Sequence, residues 1–430
     1  MKLIIDILWL VATILIFISG IYFSLKLKFI HLNFKGMFKA IKEKPNKKLD
    51  TISSFKTLMM SLAGRIGTGS LAGIALAVYL GGSGVIFWIW IISLLCSVNT
   101  YVESFLAAIY KKKVSSNLYE GGPFYYIKDG LRKPKLAKIY AFLILISFIF
   151  GFLTIQVNTV SKAINMLVPI NPYIIGIIFA ILAGITIFGG VKSIANTTSK
   201  IIPFVTIFYL LTCLGIIVFN ISYLPNVLKE IIESALNIKT FGIGTLSTLI
   251  IGMQKGIFSS EVGLGTGSIA SSVSDASPNS SGLVQTLGIH IENLLIATAT
   301  VLVIALSNYK NINIVDPNGV ELTIYAFKYF LGNIGPLFIT ISLILLALST
   351  IITGYYYGEA SLNFLKKTNK TDIFILKIIT LFLLFLGSVI SSNYLWQMVD
   401  IMVGFLAIIN IYAIFKLKNI VIKKDKRFKS

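Results

Sequence analysis

Two seven-residue stretches decide how this chain is built: Ile66-Gly67-Thr68-Gly69-Ser70-Leu71-Ala72 and Leu264-Gly265-Thr266-Gly267-Ser268-Ile269-Ala270. They lie 198 residues apart and differ only by an exchange of Ile and Leu at the first and sixth positions. Each stretch falls inside a long apolar run. A repeated, glycine-rich interruption of two such runs indicates two halves of related structure.

The composition around these stretches is that of a membrane protein. Of the 430 residues, 56% are hydrophobic and only 13% are charged, roughly half the usual charged share of a soluble domain. This excludes a disordered chain, a secreted disulfide scaffold and an ordinary cytosolic enzyme. Although the net charge is +21, the basic residues lie between apolar runs, which argues against nucleic-acid binding. Cys96 and Cys213 both fall in apolar runs and are predicted to be core residues, without a disulfide or a metal set.

A transmembrane helix needs roughly 20 mostly apolar residues. Eleven runs meet this need, which predicts an all-α integral membrane protein with eleven transmembrane helices. The first run lacks the cleavage site of a signal peptide. The runs are 4–25, 55–80, 84–110, 139–166, 173–188, 201–220, 243–272, 281–307, 331–357, 374–392 and 395–415.

The basic residues predict the orientation, because cytoplasmic loops are rich in Lys and Arg. The loops after odd-numbered runs, with the adjoining run ends and the C-terminal tail, hold 30 of the 38 Lys and Arg residues. We therefore expect a plasma-membrane protein with its N-terminus outside and its C-terminus in the cytoplasm. The basic tail either contacts anionic lipid or acts only as a topology signal. Aromatic residues beside Gly122-Pro123 predict a short interfacial helix in the loop 111–138.

The runs group into an inverted repeat. Five runs extend from the second to the sixth and five from the seventh to the eleventh, and the two groups start on opposite sides of the membrane. The predicted organisation is an extra N-terminal helix (1–25), a basic loop (26–54), a first repeat (55–220), an extracellular loop (221–242), a second repeat (243–415) and a basic tail (416–430). Matching glycine-interrupted helices in inverted halves are typical of secondary transporters.

The glycines have a physical reason to mark a binding site. A helix that unwinds inside the membrane exposes N–H and C=O groups, which only a cavity, a ligand or an ion can satisfy there. The alternative is that Gly67, Gly69 and Gly73 allow close helix packing, but two matched heptads favour unwinding. Gly67-x-Gly69-x-x-Ala72 also matches the dinucleotide fingerprint, without the strand–turn–helix context that the fingerprint requires.

Ionisable residues within the membrane are costly and usually functional. Arg65 and Glu261 each stand two residues before a glycine of an interrupted segment. They are predicted either to hold a gate or an ion, or to form a structural ion pair. The complete set of such residues is Arg65, Glu103, Lys162, Lys255, Glu261, Glu292, Glu359 and Asp400.

Three uncharged polar residues lie in otherwise apolar runs. The hydroxyls of Ser349 and Thr350 suit a small, hard cation, or each bonds back to the preceding turn of its helix. The amide of Gln156 either serves a ligand or joins two helices by a hydrogen bond. The runs contain no nucleotide-binding loop and no catalytic set, so no enzyme, ATP-driven pump or organic cofactor is expected.

Three glycine-rich motifs, in order and at family spacing, resemble those of the alanine or glycine:cation symporters. The family patterns are Gly-x-Gly-Asn-Ile-Ala-Gly, Gly-Gly-Pro-Met-Tyr-Tyr-Ile and Gly-Leu-Phe-Ser-Asn-Glu-Ala-Gly-Met-Gly. The corresponding segments here are 67–73, 121–127 and 256–265, and Ser349–Ile352 with Tyr356–Glu359 fit the ninth helix of the family.

The resemblance implies the leucine-transporter-like fold and sodium-driven uptake of alanine or glycine, with no nucleic-acid or obligatory protein partner evident. It implies that the backbone of Gly67, Thr68 and Gly69 holds the substrate carboxylate. It also places four side chains in the substrate pocket: Gln156, Phe258, Ser259 and Thr350. By analogy with the wider fold, the Na⁺ ligands are the carbonyls of Ala63 and Ile66 with the hydroxyls of Ser349 and Thr350.

The chain departs from the family pattern at three points. Ser70 and Ser260 stand where Asn is usual, and Gly267-Ser268 stands where Ala-Pro is common. Compared with Asn, each Ser lacks the side-chain amide and is shorter. Two further hypotheses therefore remain beside sodium symport: a proton-coupled symporter that uses Glu261 or Glu103, and a receptor or scaffold that binds an amino acid without moving it.

Overall fold

The computed structural model describes residues 2–43, 52–115, 118–236, 243–307, 309, 319–390 and 392–424. These residues are almost entirely helical, and several of the longer helices contain a short π-helical segment. The helices are α1 Lys2–Lys26, α2 Phe34–Ile41, α3 Ser54–Arg65, α4 Gly69–Gly81, α5 Val85–Tyr110, α6 Pro123–Tyr125, α7 Pro134–Leu167, α8 Pro172–Ile187, α9 Gly190–Phe219, α10 Leu224–Leu236, α11 Ile243–Ser260, α12 Thr266–Ser271, α13 Pro278–Leu306, α14 Val320–Leu331, α15 Ile334–Leu365, α16 Lys370–Gly387, α17 Ser392–Lys416 and α18 Lys418–Lys424.

The sequence marks several helix starts by local chemistry. The hydroxyl of Ser53 accepts a hydrogen bond from the Lys56 N–H and caps α3. Ser277 caps α13 in the same way, and Pro278 follows at the first helical position. Asn369 and Asp372 form a reciprocal capping box at α16. Each arrangement satisfies N–H groups that the helix itself leaves free.

Seven described helices are long and apolar enough to cross a membrane, and an eighth is added if α3 and α4 form one bent span. The remaining predicted runs coincide with α8, with α11 and α12, and with α16. The count of eleven spans and the inverted repeat therefore stay predictions. The helix that contains the sixth run, α9, is longer than the run itself, since it begins at Gly190 and carries Pro203 inside it. The first turns of α9 contain polar residues, so hydropathy alone does not assign them to the apolar run.

The loop between α5 and α7 contains more structure than expected. The strands β1 Lys112–Ser115 and β2 Leu118–Glu120 pair antiparallel, with Lys112 opposite Glu120. The predicted short helix is present as α6, which continues as a π-helical turn to Gly130. Gly122, with φ of 131°, makes the turn into α6. A bulky residue would be strained at that angle.

The core is built by helices that are distant in sequence. The extra N-terminal helix α1 packs along α17, and α15 lies in the centre against α3, α7 and α9. Both interrupted helices belong to this interior, and Cys96 and Cys213 are buried as predicted. Many large apolar side chains on the outer faces of α1, α8 and α9 are exposed, which suits helices surrounded by lipid.

Candidate functional site

The first break separates α3 from α4 at Ile66–Thr68, and the two helices meet at an angle of 51°. Ile66 leaves the helical conformation with φ of −80° and ψ of 75°. The Gly67 N–H donates to the Arg65 carbonyl at 2.9 Å, a short-range contact in place of a helical bond. The chain is thus unwound in the interior, as the glycine pattern predicts.

The Gln156 amide on α7 occupies this unwound segment. Its Oε1 atom accepts a hydrogen bond from the Thr68 N–H at 3.0 Å. A Cβ atom on Gly67 would lie 3.0 Å from the same Oε1 and 2.5 Å from the Thr350 hydroxyl oxygen. Gly67 is therefore glycine because α7 and α15 approach its backbone from two sides.

Thr350 connects α15 to the last turn of α3. Its hydroxyl lies 2.7 Å from the Ala63 carbonyl and 3.0 Å from the Leu346 carbonyl, and can donate to either. The Thr350 hydroxyl oxygen and the Ala63 carbonyl oxygen, which are both predicted to bind Na⁺, therefore lie next to each other. The neighbouring Ser349 hydroxyl donates to the Leu346 carbonyl at 2.7 Å and is thus bonded back to the preceding turn of its own helix.

An aromatic cluster lies next to Gly69, at the start of α4. A Cβ on Gly69 would contact the Phe258 ring at 3.9 Å, which brings α11 of the second half against the first break. The Phe258 ring stacks on Phe152, with centroids 5.2 Å apart, and lies 5.5 Å from Trp396. The Lys255 ammonium is 5.4 Å from the Phe258 ring centroid. These residues make an apolar wall with one cation beside it.

The second break, between α11 and α12, has a different backbone. Glu261, Gly263 and Gly265 all have positive φ, of 56°, 77° and 80°. The protein itself satisfies the carbonyls of this segment. Asn410 donates to the Gly263 carbonyl at 2.9 Å, and the Tyr140 hydroxyl donates to the Leu264 carbonyl. Irregular backbone at this depth is tolerated because side chains replace the helical partners.

Arg65 links the two breaks. Its side chain is only 2% exposed, and Nη1 donates to the Gln285 carbonyl at 3.3 Å. A Cβ on Gly267 would lie 2.1 Å from Nη2, and one on Gly288 would lie 2.3 Å from Nη1. The guanidinium thus lies between two glycines, and Ala at position 267 would require it to shift. Gly267 thus leaves room for the guanidinium at a position where the family pattern has Ala.

Glu261 contacts Thr266 and not Arg65, the partner that the ion-pair alternative predicts. Its Oε2 accepts a hydrogen bond from the Thr266 hydroxyl at 2.6 Å. Within the part of the chain that the structure describes, Arg65 and Glu261 form no ion pair within 4.0 Å. A direct ion pair between the breaks is therefore absent from this conformation, and the gating role stays a prediction.

The two serines that replace family asparagines make specific contacts. The Ser70 hydroxyl donates to the fully buried Glu292 carboxylate at 2.7 Å. The Ser260 hydroxyl donates to the Gly256 carbonyl at 2.5 Å, within its own helix. Ser70 thus ties the first break to α13, whereas the Ser260 contact is local.

Comparison with known proteins decides the family. The model of the sodium:alanine symporter family matches residues 1–430. The chain belongs to the sodium:alanine symporter family. Its members are transporters, so this chain is a sodium-coupled amino-acid symporter of the membrane and not an enzyme.

Two curated relatives cover nearly all of this symporter. It is 33% identical over 428 residues to the amino-acid carrier protein AlsT of Bacillus subtilis (strain 168), a match that spans 98% of this chain and 90% of that protein. It is 36% identical over 422 residues to the probable sodium/glutamine symporter GlnT of the same strain, spanning 97% and 87%.

A solved structure has the same fold. It is described as a substrate-bound, outward-open state of a Na⁺-coupled sialic acid symporter. The match covers 97% of this chain and 98% of the other, with a TM-score of 0.58 and 12% identity. At that identity the likeness concerns the fold alone.

In this symporter the fold brings together most of the residues that sequence reasoning singled out. Ala63, Gly67, Thr68, Gln156 and Thr350 meet at the first break, and Phe258 approaches Gly69. The Ser259 hydroxyl donates within its own helix, to the Gly256 carbonyl at 3.5 Å.

Sequence reasoning missed two aromatic neighbours. Phe152 lies four residues before Gln156 on α7 and thus on the same helix face, a signal that could have revealed it. Trp396 comes from α17, 138 residues beyond Phe258, and no local pattern connects the two residues.

Proposed function

We propose that this symporter couples Na⁺ to the uptake of small neutral amino acids, with alanine and glycine as its substrates. The observation that carries the proposal is the convergence of Thr68, Gln156 and Thr350 on one unwound segment, beside the Phe258 ring. Polar groups beside an aromatic wall suit an amino acid with a short side chain.

The substrate carboxylate is proposed to bind the backbone N–H groups of the first break. Such groups at the start of a helix favour an anion. Because the Gln156 Oε1 accepts from the Thr68 N–H at 3.0 Å, a carboxylate that took this donor would displace the amide. Gln156 can then turn and donate its own N–H to the carboxylate, since an amide both accepts and donates.

The sodium ion is proposed to bind on the α15 side of the same break. Its ligands would be the carbonyls of Ala63 and Ile66 with the hydroxyls of Ser349 and Thr350, all hard oxygens. Support comes from the 2.7 Å approach of Thr350 Oγ1 to the Ala63 oxygen. A cation there would compensate the charge of the substrate carboxylate, which is a physical reason for coupling the two.

The orientation is also part of the proposal. Of the 38 Lys and Arg residues, 30 are assigned to one side of the membrane by eleven spans. The positive-inside rule makes that side cytoplasmic. The symporter would then lie in the plasma membrane, with five-helix inverted repeats after α1, its N-terminus outside and its C-terminus in the cytoplasm.

The direct test is uptake of radiolabelled alanine into proteoliposomes. With Na⁺ outside only, alanine is expected to accumulate above its external concentration, and without the Na⁺ gradient it should only equilibrate. A receptor would bind alanine without accumulation, which would contradict the proposal. Glutamine and leucine serve as competitors, because one relative is named a probable sodium/glutamine symporter.

Proton coupling is the alternative, and buried carboxylates favour it. Glu103 and Glu261 are at most 1% exposed, and one oxygen of each lacks a hydrogen-bond partner among the described residues. An inward proton gradient without Na⁺ separates the two cases. Accumulation of alanine under that gradient would replace Na⁺ with H⁺ in the proposal.

Phe258 provides a prediction about substrate size. Its ring, braced by Phe152 and Trp396, would close the space beyond a small side chain. Phe258→Ala should therefore admit larger amino acids. One added methylene is worth about 1–3 kcal/mol in a pocket, so competition by leucine should strengthen by roughly tenfold or more. Competition uptake with both proteins provides the measurement.

The matched control is Phe152→Ala, which removes the support behind the ring and leaves the ring itself in place. We expect a weaker change in the same direction. If the parent protein already prefers leucine to alanine, the assignment of Phe258 as a size limit is wrong.

A further inference from the structure

A groove outside the transport site lies between α1, the start of α7 and the end of α17. Its volume is about 490 Å³. The lining is aliphatic and aromatic, and includes Leu15, Ile18, Leu136, Ile408, Ile409 and Phe415. Two lining residues, Ser19 and Tyr412, carry hydroxyl groups, and both hydroxyls have hydrogen-bond partners: the Ser19 hydroxyl donates to Asn99 at 2.8 Å, and the Tyr412 hydroxyl accepts from Lys133. Away from Lys416 and Tyr412, the lining suits an apolar ligand.

One end of this groove is strongly basic. Lys133 Nζ donates to the Tyr412 hydroxyl at 2.6 Å, and Lys416 Nζ lies 5.9 Å from the Tyr412 ring centroid. Lys418 Nζ lies 4.5 Å from the Phe415 ring centroid. None of these lysines forms an ion pair in the part of the chain that the structure describes. Lys416 lines the groove, and Lys133 and Lys418 contact its lining residues Tyr412 and Phe415, so three basic side chains lie at or beside one end of an apolar channel.

We propose that this groove binds an anionic phospholipid. One acyl chain would lie along the aliphatic lining, and the headgroup phosphate would contact Lys133, Lys416 and Lys418. The exposed Ile18 and Tyr412 border the groove, so a bilayer lipid can enter from the side. Basic pockets between membrane helices are known to hold anionic headgroups. A protein segment would instead need polar partners for its backbone, which this lining does not offer.

The site has a consequence for the second break. Ile411 lines the groove, and its Cδ1 atom would lie 3.1 Å from a Cβ on Gly263. Ile16 on α1 approaches the same point at 3.2 Å. A bound acyl chain would therefore brace the two helices that hold Gly263. The proposal does not depend on which amino acid or cation is transported.

The test is native mass spectrometry of the delipidated full-length protein with phosphatidylglycerol or phosphatidylcholine. We expect the parent to retain phosphatidylglycerol at least several-fold more than phosphatidylcholine. Each lysine near a phosphate is worth about fivefold in binding, so Lys133→Ala/Lys416→Ala/Lys418→Ala should lower retention by at least tenfold.

The control variant is Lys35→Ala/Lys39→Ala/Lys42→Ala, which removes the same charge from exposed lysines at and after α2. It should retain the lipid like the parent.

Two further measurements keep the lipid proposal falsifiable. Ile18→Trp should fill the groove and lower the retention of phosphatidylglycerol while all three lysines remain. This variant tests the site even if the lysine variant folds poorly. Glycerol 3-phosphate should not displace the lipid, because it lacks an acyl chain. Equal retention by parent and lysine variant, equal retention by the two triple variants, or full displacement by glycerol 3-phosphate would overturn the lipid site.

Discussion

Gly67→Ala is expected to reduce alanine uptake by about tenfold to a hundredfold, since overpacking costs about 1–3 kcal/mol. The added methyl group would lie 2.5 Å from the Thr350 hydroxyl oxygen and 3.0 Å from Gln156 Oε1. Neither neighbour can retreat without leaving the contacts that hold the first break. The methyl group would thus disturb the proposed carboxylate and sodium sites together. Initial uptake rates into proteoliposomes measure the effect.

Gly73→Ala is the matched control for this change. Gly73 belongs to the same glycine-rich stretch, yet a Cβ there would meet nothing within 4 Å. The control should transport nearly as the parent does, and alanine favours a helix more than glycine does. If Gly67→Ala transports normally at normal protein yield, the first break does not form the binding site.

Thr350→Ala is expected to raise the Na⁺ concentration for half-maximal uptake. A hard cation needs several oxygens, and the membrane interior offers no water to replace a lost one. The carbonyls of Ala63 and Ile66 would remain, so the site should weaken rather than vanish. A hydrogen bond or ligand of this kind is worth about 1 kcal/mol or somewhat more, which predicts a fivefold to tenfold rise. Higher Na⁺ should recover part of the transport by mass action.

Thr350→Ser is the control, because it keeps the hydroxyl that lies 2.7 Å from the Ala63 carbonyl. Its sodium dependence should stay close to that of the parent. Ser349→Ala tests the second proposed hydroxyl in the same assay. A purely structural Thr350 would behave differently, with lower folded yield and unchanged sodium affinity. An unaltered half-saturation in Thr350→Ala at normal yield would remove Thr350 from the ion site.

The sequence by itself determined the class of protein and the position of both interruptions. Long apolar runs are stable only in lipid or in a large protein core. The chain has too few charged residues to cover the surface of a soluble protein with such a core. The glycine heptads marked the breaks because glycine tolerates the close approach at Gly67 and the positive φ at Gly265 better than other residues do. These are local properties, and local properties can be read along a chain.

Only the tertiary structure decided how each break is satisfied. In the first break, the Thr68 N–H donates to the side chain of Gln156, a partner that a ligand could replace. In the second break, Asn410 and the Tyr140 hydroxyl donate hydrogen bonds to the backbone carbonyls of Gly263 and Leu264. The near-identical heptads do not reveal this difference, because the partners lie 88 to 147 residues away along the chain. The same holds for Arg65 between Gly267 and Gly288, since packing of distant helices, not spacing in sequence, determines which groups meet.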